Sequence, residues 1–152
     1  MRSLAFKIIK HLINRKYPTV APLTTNELAQ WLNTQSKPQP ILLDARTEAE
    51  YELSHIQQAE RIDPYHPHLE AVAISKDMPI VVYCSVGYRS AKIAQQLQQA
   101  GFSHVYNLEG SIFQWANEKR PVYENNRPTT LVHPYDALWG QLLHRKYRAS
   151  IE

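Results

Sequence analysis

The sequence predicts an α/β fold: a central, largely parallel sheet flanked by helices, with an extra helix at each terminus. Three observations carry this expectation. Two short apolar runs without alternation, Ile41-Leu42-Leu43-Asp44-Ala45 and Ile80-Val81-Val82-Tyr83-Cys84, have the pattern of strands covered on both faces. Helical periodicities lie between and after them, the strongest from Ser90 to Ala100, and strands alternating with helices favour parallel pairing. The length of 152 residues, with 43% hydrophobic and 20% charged residues, fits one folded domain with short appendages and excludes a disordered chain.

Taken in order, Leu4, Phe6, Ile8, Ile9, Leu12 and Ile13 recur at helical spacing with Lys7 and Lys10 between them, which describes an amphipathic basic helix within a segment 1–19. Pro18 and Pro22 end it. Thr24-Thr25-Asn26-Glu27 is a capping box that opens a second helix through Leu28, Ala29, Trp31 and Leu32, and Ser36 to Pro40 reads as a turn. After the first strand come short helical patterns from Glu48 to Glu52 and from Leu69 to Ile74. After the second strand, the helix from Ser90 ends at Gly101, and His104 to Leu108 is a weaker third strand. From Pro121 the pattern changes: Tyr123 to Pro134 is polar and irregular, and Tyr135 to Tyr147 carries a stripe of Leu138, Trp139, Leu142 and Leu143 that reads as one appended helix packed on the first helix or on the domain surface. The expected organisation is thus 1–19, a core domain over 20–122, and an extension over 123–152. Trp31 and Trp115 are assigned to the core.

The formal net charge is +3, and the ends carry it: Arg2, Lys7, Lys10, Arg15 and Lys16 face no acid in the first helix, and Arg145, Lys146 and Arg148 stand near Glu152. A balance this small favours solvated ends over a nucleic-acid partner, and leaves contact with a protein partner or a membrane surface as the role open to the terminal helices. Lys7 and Lys10 interrupt the N-terminal apolar stretch, so neither a secretory segment nor a membrane span is expected, and a cytoplasmic location follows by default. The single cysteine, Cys84, excludes intramolecular disulfides, zinc ribbons and any mechanism with a resolving cysteine on the same chain. Tyr65-His66-Pro67-His68 supplies two histidines without a third ligand nearby and reads as a polar loop, so no metal and no cofactor is expected.

One loop carries chemistry. Cys84 ends a strand, and Ser85-Val86-Gly87-Tyr88-Arg89 leads straight into the helix that starts near Ser90. Reactive groups in α/β folds gather at the carboxyl ends of strands, where the next helix aims its free N–H groups and positive dipole end. If the loop curls around the sulfur, its amides form a concave anion site that stabilises a thiolate nucleophile, with Gly87 supplying the conformational freedom. Arg89 adds a positive charge, and the loop itself holds no carboxylate to oppose it.

The spacing of Cys84, Gly87, Arg89 and Ser90 resembles the active-site loop of single-domain rhodaneses. Leu43-Asp44-Ala45-Arg46 followed by Glu48, Tyr51, His55 and Ile56 is similar to that family's upstream motif, and Leu108-Glu109-Gly110-Ser111 followed by Trp115 to its downstream motif. The resemblance implies a rhodanese-like fold and sulfur transfer without a cofactor. Cys84 would take a sulfane sulfur from thiosulfate or a persulfide donor and yield it to cyanide or a cellular thiol, with ping-pong kinetics. The amides from Ser85 through Val86, Gly87 and Tyr88 to Arg89, together with Ser90, would surround the transferred sulfur, and Arg89 would favour an anionic donor. Asp44 and Arg46 would form an ion pair beneath the loop or orient it, and His55 would be structural. The chain departs from the family pattern at Ala45 and at three usual glycines, replaced by Ser54, Gln58 and Ser111.

Two rivals stand beside this reading. A cysteine phosphatase needs five residues between cysteine and arginine, whereas four separate Cys84 from Arg89, and the loop holds no aspartic acid to protonate a leaving alcohol. A non-catalytic rhodanese-like binding module would leave the terminal helices as its interface. The sequence names neither the physiological donor and acceptor nor the oligomeric state.

Overall fold

In the computed structural model, which describes residues 1–73 and 75–151, five parallel strands form one sheet in the order β1-β5-β4-β2-β3. They are β1 (Ala21–Leu23), β2 (Ile41–Asp44), β3 (Glu60–Arg61), β4 (Ile80–Tyr83) and β5 (Val105–Leu108). The two runs without alternation are β2 and β4, paired in register from Ile41 opposite Ile80 to Asp44 opposite Tyr83. The central strand β4 is wholly buried, which is why its sequence lacks a polar alternate.

The helices are α1 (Arg2–Lys16), α2 (Thr25–Asn33), α3 (Glu48–Leu53), α4 (Tyr88–Gln99) and α5 (Ser111–Asn117). Complete capping boxes open α2 at Thr24 and α3 at Thr47, each with its glutamate, Glu27 or Glu50, reaching back to the cap amide. The predicted helix near 69–74 is a single 3-10 turn, Leu69–Ala71, and Ile74 lies outside the described residues. No helix among the described residues is long and apolar enough to cross a membrane.

Two stretches differ from the sequence expectation. Within the segment read as irregular, β6 (Val122–Glu124) and β7 (Arg127–Thr129) pair as an antiparallel hairpin. Its two central residues, Asn125 at φ 50° and Asn126 at φ 65°, adopt the left-handed conformation of a type I′ turn, which asparagine tolerates. The extension expected to form one helix instead makes two short 3-10 turns, Trp139–Leu142 and Arg145–Tyr147. Tyr135 at φ 70° blocks helix initiation, and Gly140 lies so close to Pro134 that an added Cβ would stand 2.8 Å from the Pro134 Cβ. The apolar stripe is divided accordingly, with Leu143 fully buried and Leu138 68% exposed.

The two ends nonetheless meet. α1 buries Phe6, Ile9 and Ile13 against the core and touches the Trp139–Leu142 turn, where Arg2 Nε donates to the Gln141 carbonyl at 3.0 Å. The extension is also fixed to α5: Asn117 Nδ2 donates to Leu142 O and Asn117 Oδ1 accepts from His144 N, both at 2.8 Å.

Candidate active site

Cys84 follows the last residue of β4, and its side chain is buried beneath the loop that leads into α4. Three carbonyls of the loop region are bound by partners other than the sulfur. Those of Cys84 and Ser85 accept from the Ile112 and Phe113 amides at the start of α5, both at 3.1 Å. The Gly87 carbonyl accepts from Asn107 Nδ2 at 3.2 Å and from the Ala91 amide at 3.1 Å. With the carbonyls engaged outside, the amide of Gly87 is free to point inward, and it donates to Cys84 Sγ at 3.1 Å. Gly87 is required here on two counts: its φ is 117°, and a Cβ would stand 3.2 Å from Ile13 Cδ1. The N-terminal helix therefore backs the loop directly.

Ser90 Oγ lies 3.4 Å from the sulfur and 2.6 Å from Asn107 Oδ1. Because Asn107 Nδ2 is committed to the Gly87 carbonyl, Oδ1 faces Ser90 and accepts its single hydroxyl proton in the thiol state. A thiolate offers that proton a second acceptor. Asn107 was absent from the sequence reading, although a buried amide in the otherwise apolar strand Val105–Leu108 was the signal that could have found it.

Arg89 does not stand unopposed. Glu50, from the first turns of α3, receives both terminal nitrogens of Arg89, at 2.8 Å and 3.0 Å, and also accepts from Ser85 Oγ at 3.1 Å. Thr47 completes the shell of Glu50 through its amide and its hydroxyl, at 3.1 Å and 2.9 Å. Burial pushes the Glu50 carboxyl upward, but the Arg89 hydrogen bonds and charge, with Arg46 and the Thr47 amide, outweigh it and hold Glu50 at about 2. The positive charge at the loop is thus held in a neutralised, bidentate pair with a carboxylate from outside the loop. No local feature of the loop announces this, since the partner lies 39 residues upstream.

Asp44 and Arg46, expected to pair or to orient the loop, form a fully buried bidentate pair at 2.8 Å and 2.7 Å, and Arg46 Nη2 also donates to Ser54 O at 2.7 Å. Arg46 stacks over the Tyr83 ring at 5.9 Å, and its remaining nitrogen, Nη1, has no hydrogen-bond partner among the described residues. The pair buttresses the strand ends and does not touch the sulfur. His55 stacks on Tyr51 at 4.1 Å and donates from Nδ1 to the Tyr51 carbonyl at 3.0 Å, a structural role. The departures from glycine have distinct outcomes. Ser54 is extended and donates to Leu131 O at 2.7 Å, whereas Gln58 and Ser111 keep positive φ, at 67° and 49°. Ser111 Oγ also accepts from the Cys84 amide at 3.2 Å.

Above the sulfur opens a cavity of about 230 Å³ whose walls are Tyr65, Tyr88, Tyr135 and Trp139. Tyr65 comes from the loop first weighed as a metal site, where the Tyr65 and His66 amides both donate to Asp63 Oδ1, at 2.9 Å and 3.1 Å. Tyr88 meets Trp139 edge to face at 6.3 Å, and the Tyr135 ring lies 4.9 Å from the Arg89 guanidinium carbon. The sequence places Trp139 on a helical stripe packed on the first helix or the domain surface; the structure puts it at the mouth of the site.

Comparison with known proteins agrees with this architecture. The family model described as "Rhodanese-like domain" matches residues 24–118. A tRNA uridine(34) hydroxylase of Sodalis glossinidius is 36% identical over 89 residues, which cover 55% of this chain and 25% of that protein. A probable adenylyltransferase/sulfurtransferase, MoeZ, of Mycobacterium tuberculosis is 34% identical over 101 residues, 65% of this chain and 25% of that one. The chain thus spans about a quarter of the length of these curated relatives. Among solved structures, the polysulfide-sulfur transferase of Wolinella succinogenes superposes with a TM-score of 0.61 at 22% identity, over 78% of this chain and 89% of that one, a likeness of fold.

Proposed function

The chain belongs to the rhodanese-like domain family, and from that premise we propose that it is a sulfurtransferase that carries one sulfane sulfur as a persulfide on Cys84. In the first half-reaction the thiolate attacks the outer sulfur of a donor. A new S–S bond forms at Cys84, the donor's own bond to that sulfur breaks, and the leaving sulfite, sulfinate or thiolate departs with the electron pair. In the second, a thiophilic acceptor attacks the terminal sulfur and returns Cys84 as thiolate; with cyanide the product is thiocyanate.

The observation that supports this reading is the loop: its carbonyls are bound outside by α5 and Asn107, while the Gly87 amide donates to Sγ at 3.1 Å. An inward amide at a helix N-terminus, with the Ser90 hydroxyl 3.4 Å from the sulfur, suits a single anionic sulfur, as an oxyanion-hole donor suits an oxygen. Arg89 and Glu50 are positioning residues that lock Ser85 and the loop's start. Cyanide-dependent thiocyanate formation tests the proposal. Turnover with parallel double-reciprocal lines, abolished by Cys84→Ser, is the expected result. Undiminished turnover in Cys84→Ser, or none in the native protein with thiosulfate, thiosulfonates and organic persulfides alike, contradicts it.

A further inference from the structure

Resting on the sulfur-transfer reading, the geometry points to an organic sulfur donor with a flat aromatic body, such as an aryl thiosulfonate or aryl persulfide, rather than inorganic thiosulfate, as the compound this site prefers. The first ground is the shape and chemistry of the mouth. Tyr65, Tyr88, Tyr135 and Trp139 converge from three separate segments on a cavity of about 230 Å³ with Cys84 as one of its lining residues. A space on the order of 150 Å³ already holds a benzene ring, so one ring plus a sulfur-bearing group fits. Aromatic walls reward such a ring by edge-to-face and offset stacking, beyond simple burial.

The second ground is charge. Thiosulfate is a small, strongly hydrated dianion, and drawing it from water against aromatic walls calls for a cation to replace its lost hydration. Arg89 is the one cationic residue lining the cavity among the described residues, and both its terminal nitrogens are bound to Glu50, one of them also to Ser85. The Tyr135 ring covers its guanidinium as well. A singly charged donor that exchanges an anionic oxygen for an apolar group makes less demand on a cation already neutralised.

The third ground is provenance. Tyr135 and Trp139 lie outside the residues 24–118 that the family model matches, so half of the aromatic wall belongs to this chain's own extension. That extension is fixed by Asn117, by Arg2 and by a backbone bridge from Val132 to Arg148. Tyr135 is held in a left-handed conformation, at φ 70°, with its amide donating to His133 Nδ1 at 3.0 Å. Strain retained at a residue lining the mouth is consistent with a side chain aimed for use.

The chemistry balances. The Cys84 thiolate attacks the outer sulfur of an aryl thiosulfonate; the Cys84 persulfide anion forms, and an aryl sulfinate leaves with the electrons of the broken S–S bond. Three donors test the inference: benzenethiosulfonate, methanethiosulfonate and thiosulfate, each assayed with cyanide as acceptor. Their kcat/KM values are divided by the rates of the same donors with free cysteine, which removes intrinsic reactivity. Benzenethiosulfonate is expected to exceed methanethiosulfonate about tenfold, with thiosulfate lowest. Trp139→Ala, and Tyr65→Ala at an exposed side chain on a different segment, should each reduce the benzene-to-methane ratio several-fold. A ratio near one in the native protein, a ratio unmoved in both variants, or a corrected preference for thiosulfate overturns the inference while leaving sulfur transfer intact. Absence of turnover with all three donors overturns the sulfur-transfer reading and this inference with it.

Discussion

Glu50 shows how one buried carboxylate organises a site it does not enter. Its side chain is 2% exposed, yet it stays ionised because Arg89, Ser85 and Thr47 supply its hydrogen bonds. The pH dependence has a definite sign. In the folded protein Glu50 titrates near 2 against an ordinary value of 4.5, so between those limits the unfolded chain binds more protons than the native one. The stabilisation is complete above pH ~4.5, amounts to about 3 kcal/mol by the size of the shift, and is lost as the pH falls to ~2. Glu50→Gln should therefore cost about 3 kcal/mol at neutral pH, and its deficit should shrink steadily on acidification. Urea titrations of both proteins between pH 2 and 7 measure this; a deficit independent of pH contradicts the assignment. The sulfur, the glycine and the arginine are legible in the sequence because they lie within six residues of one another, but Glu50 and Asn107 join them only through tertiary contacts.

At the scale of elements, the departures from the family's glycines make a direct comparison. Ser111 sits at φ 49° but gains the hydrogen bond from the Cys84 amide, whereas Gln58 sits at φ 67° with no side-chain hydrogen bond among the described residues. Gln58→Gly should consequently raise stability, by up to about 1 kcal/mol after the added unfolded-state entropy is counted. Ser111→Gly should not, because it leaves the buried Cys84 amide unsatisfied. Thermal or urea melts of the two variants decide it, and stabilisation by both would refute the distinction. The same scale explains which elements the sequence displayed. β2, β4 and α4 were legible because burial on both faces, or on one helical stripe, imposes a pattern over four or more residues. β1 has three residues, including Pro22, and β3 has two, so neither generates a period. The β6–β7 turn was marked by Asn125-Asn126 but sat in a segment dominated by prolines. The C-terminal apolar stripe was real in composition, yet Tyr135 and the contact of Gly140 with Pro134 dictate short turns that spread it between core and active-site mouth.

For the whole molecule, the two ends are part of the site's architecture. Ile13 of α1 backs Gly87, the extension supplies Tyr135 and Trp139, and Arg2 ties the two ends together. Ile13→Ala removes a side chain that is 5% exposed and should cost about 2–5 kcal/mol, with one cooperative transition if α1 folds with the sheet. A two-step melt, with α1 lost first, contradicts that coupling. The sequence placed a helix at the N-terminus and predicted its contact with the other end, but amphipathic patterns do not reveal which core residue they will meet. The proposed function makes Cys84 the carrier of one sulfur atom. Intact-mass spectrometry of the full chain, after brief exposure to a thiosulfonate donor and removal of excess reagent, tests that claim most directly. The expected result is a gain of one sulfur atom per chain that is absent from Cys84→Ser and is removed by cyanide as an equal amount of thiocyanate. An unchanged mass, or a sulfur gained equally by Cys84→Ser, contradicts it.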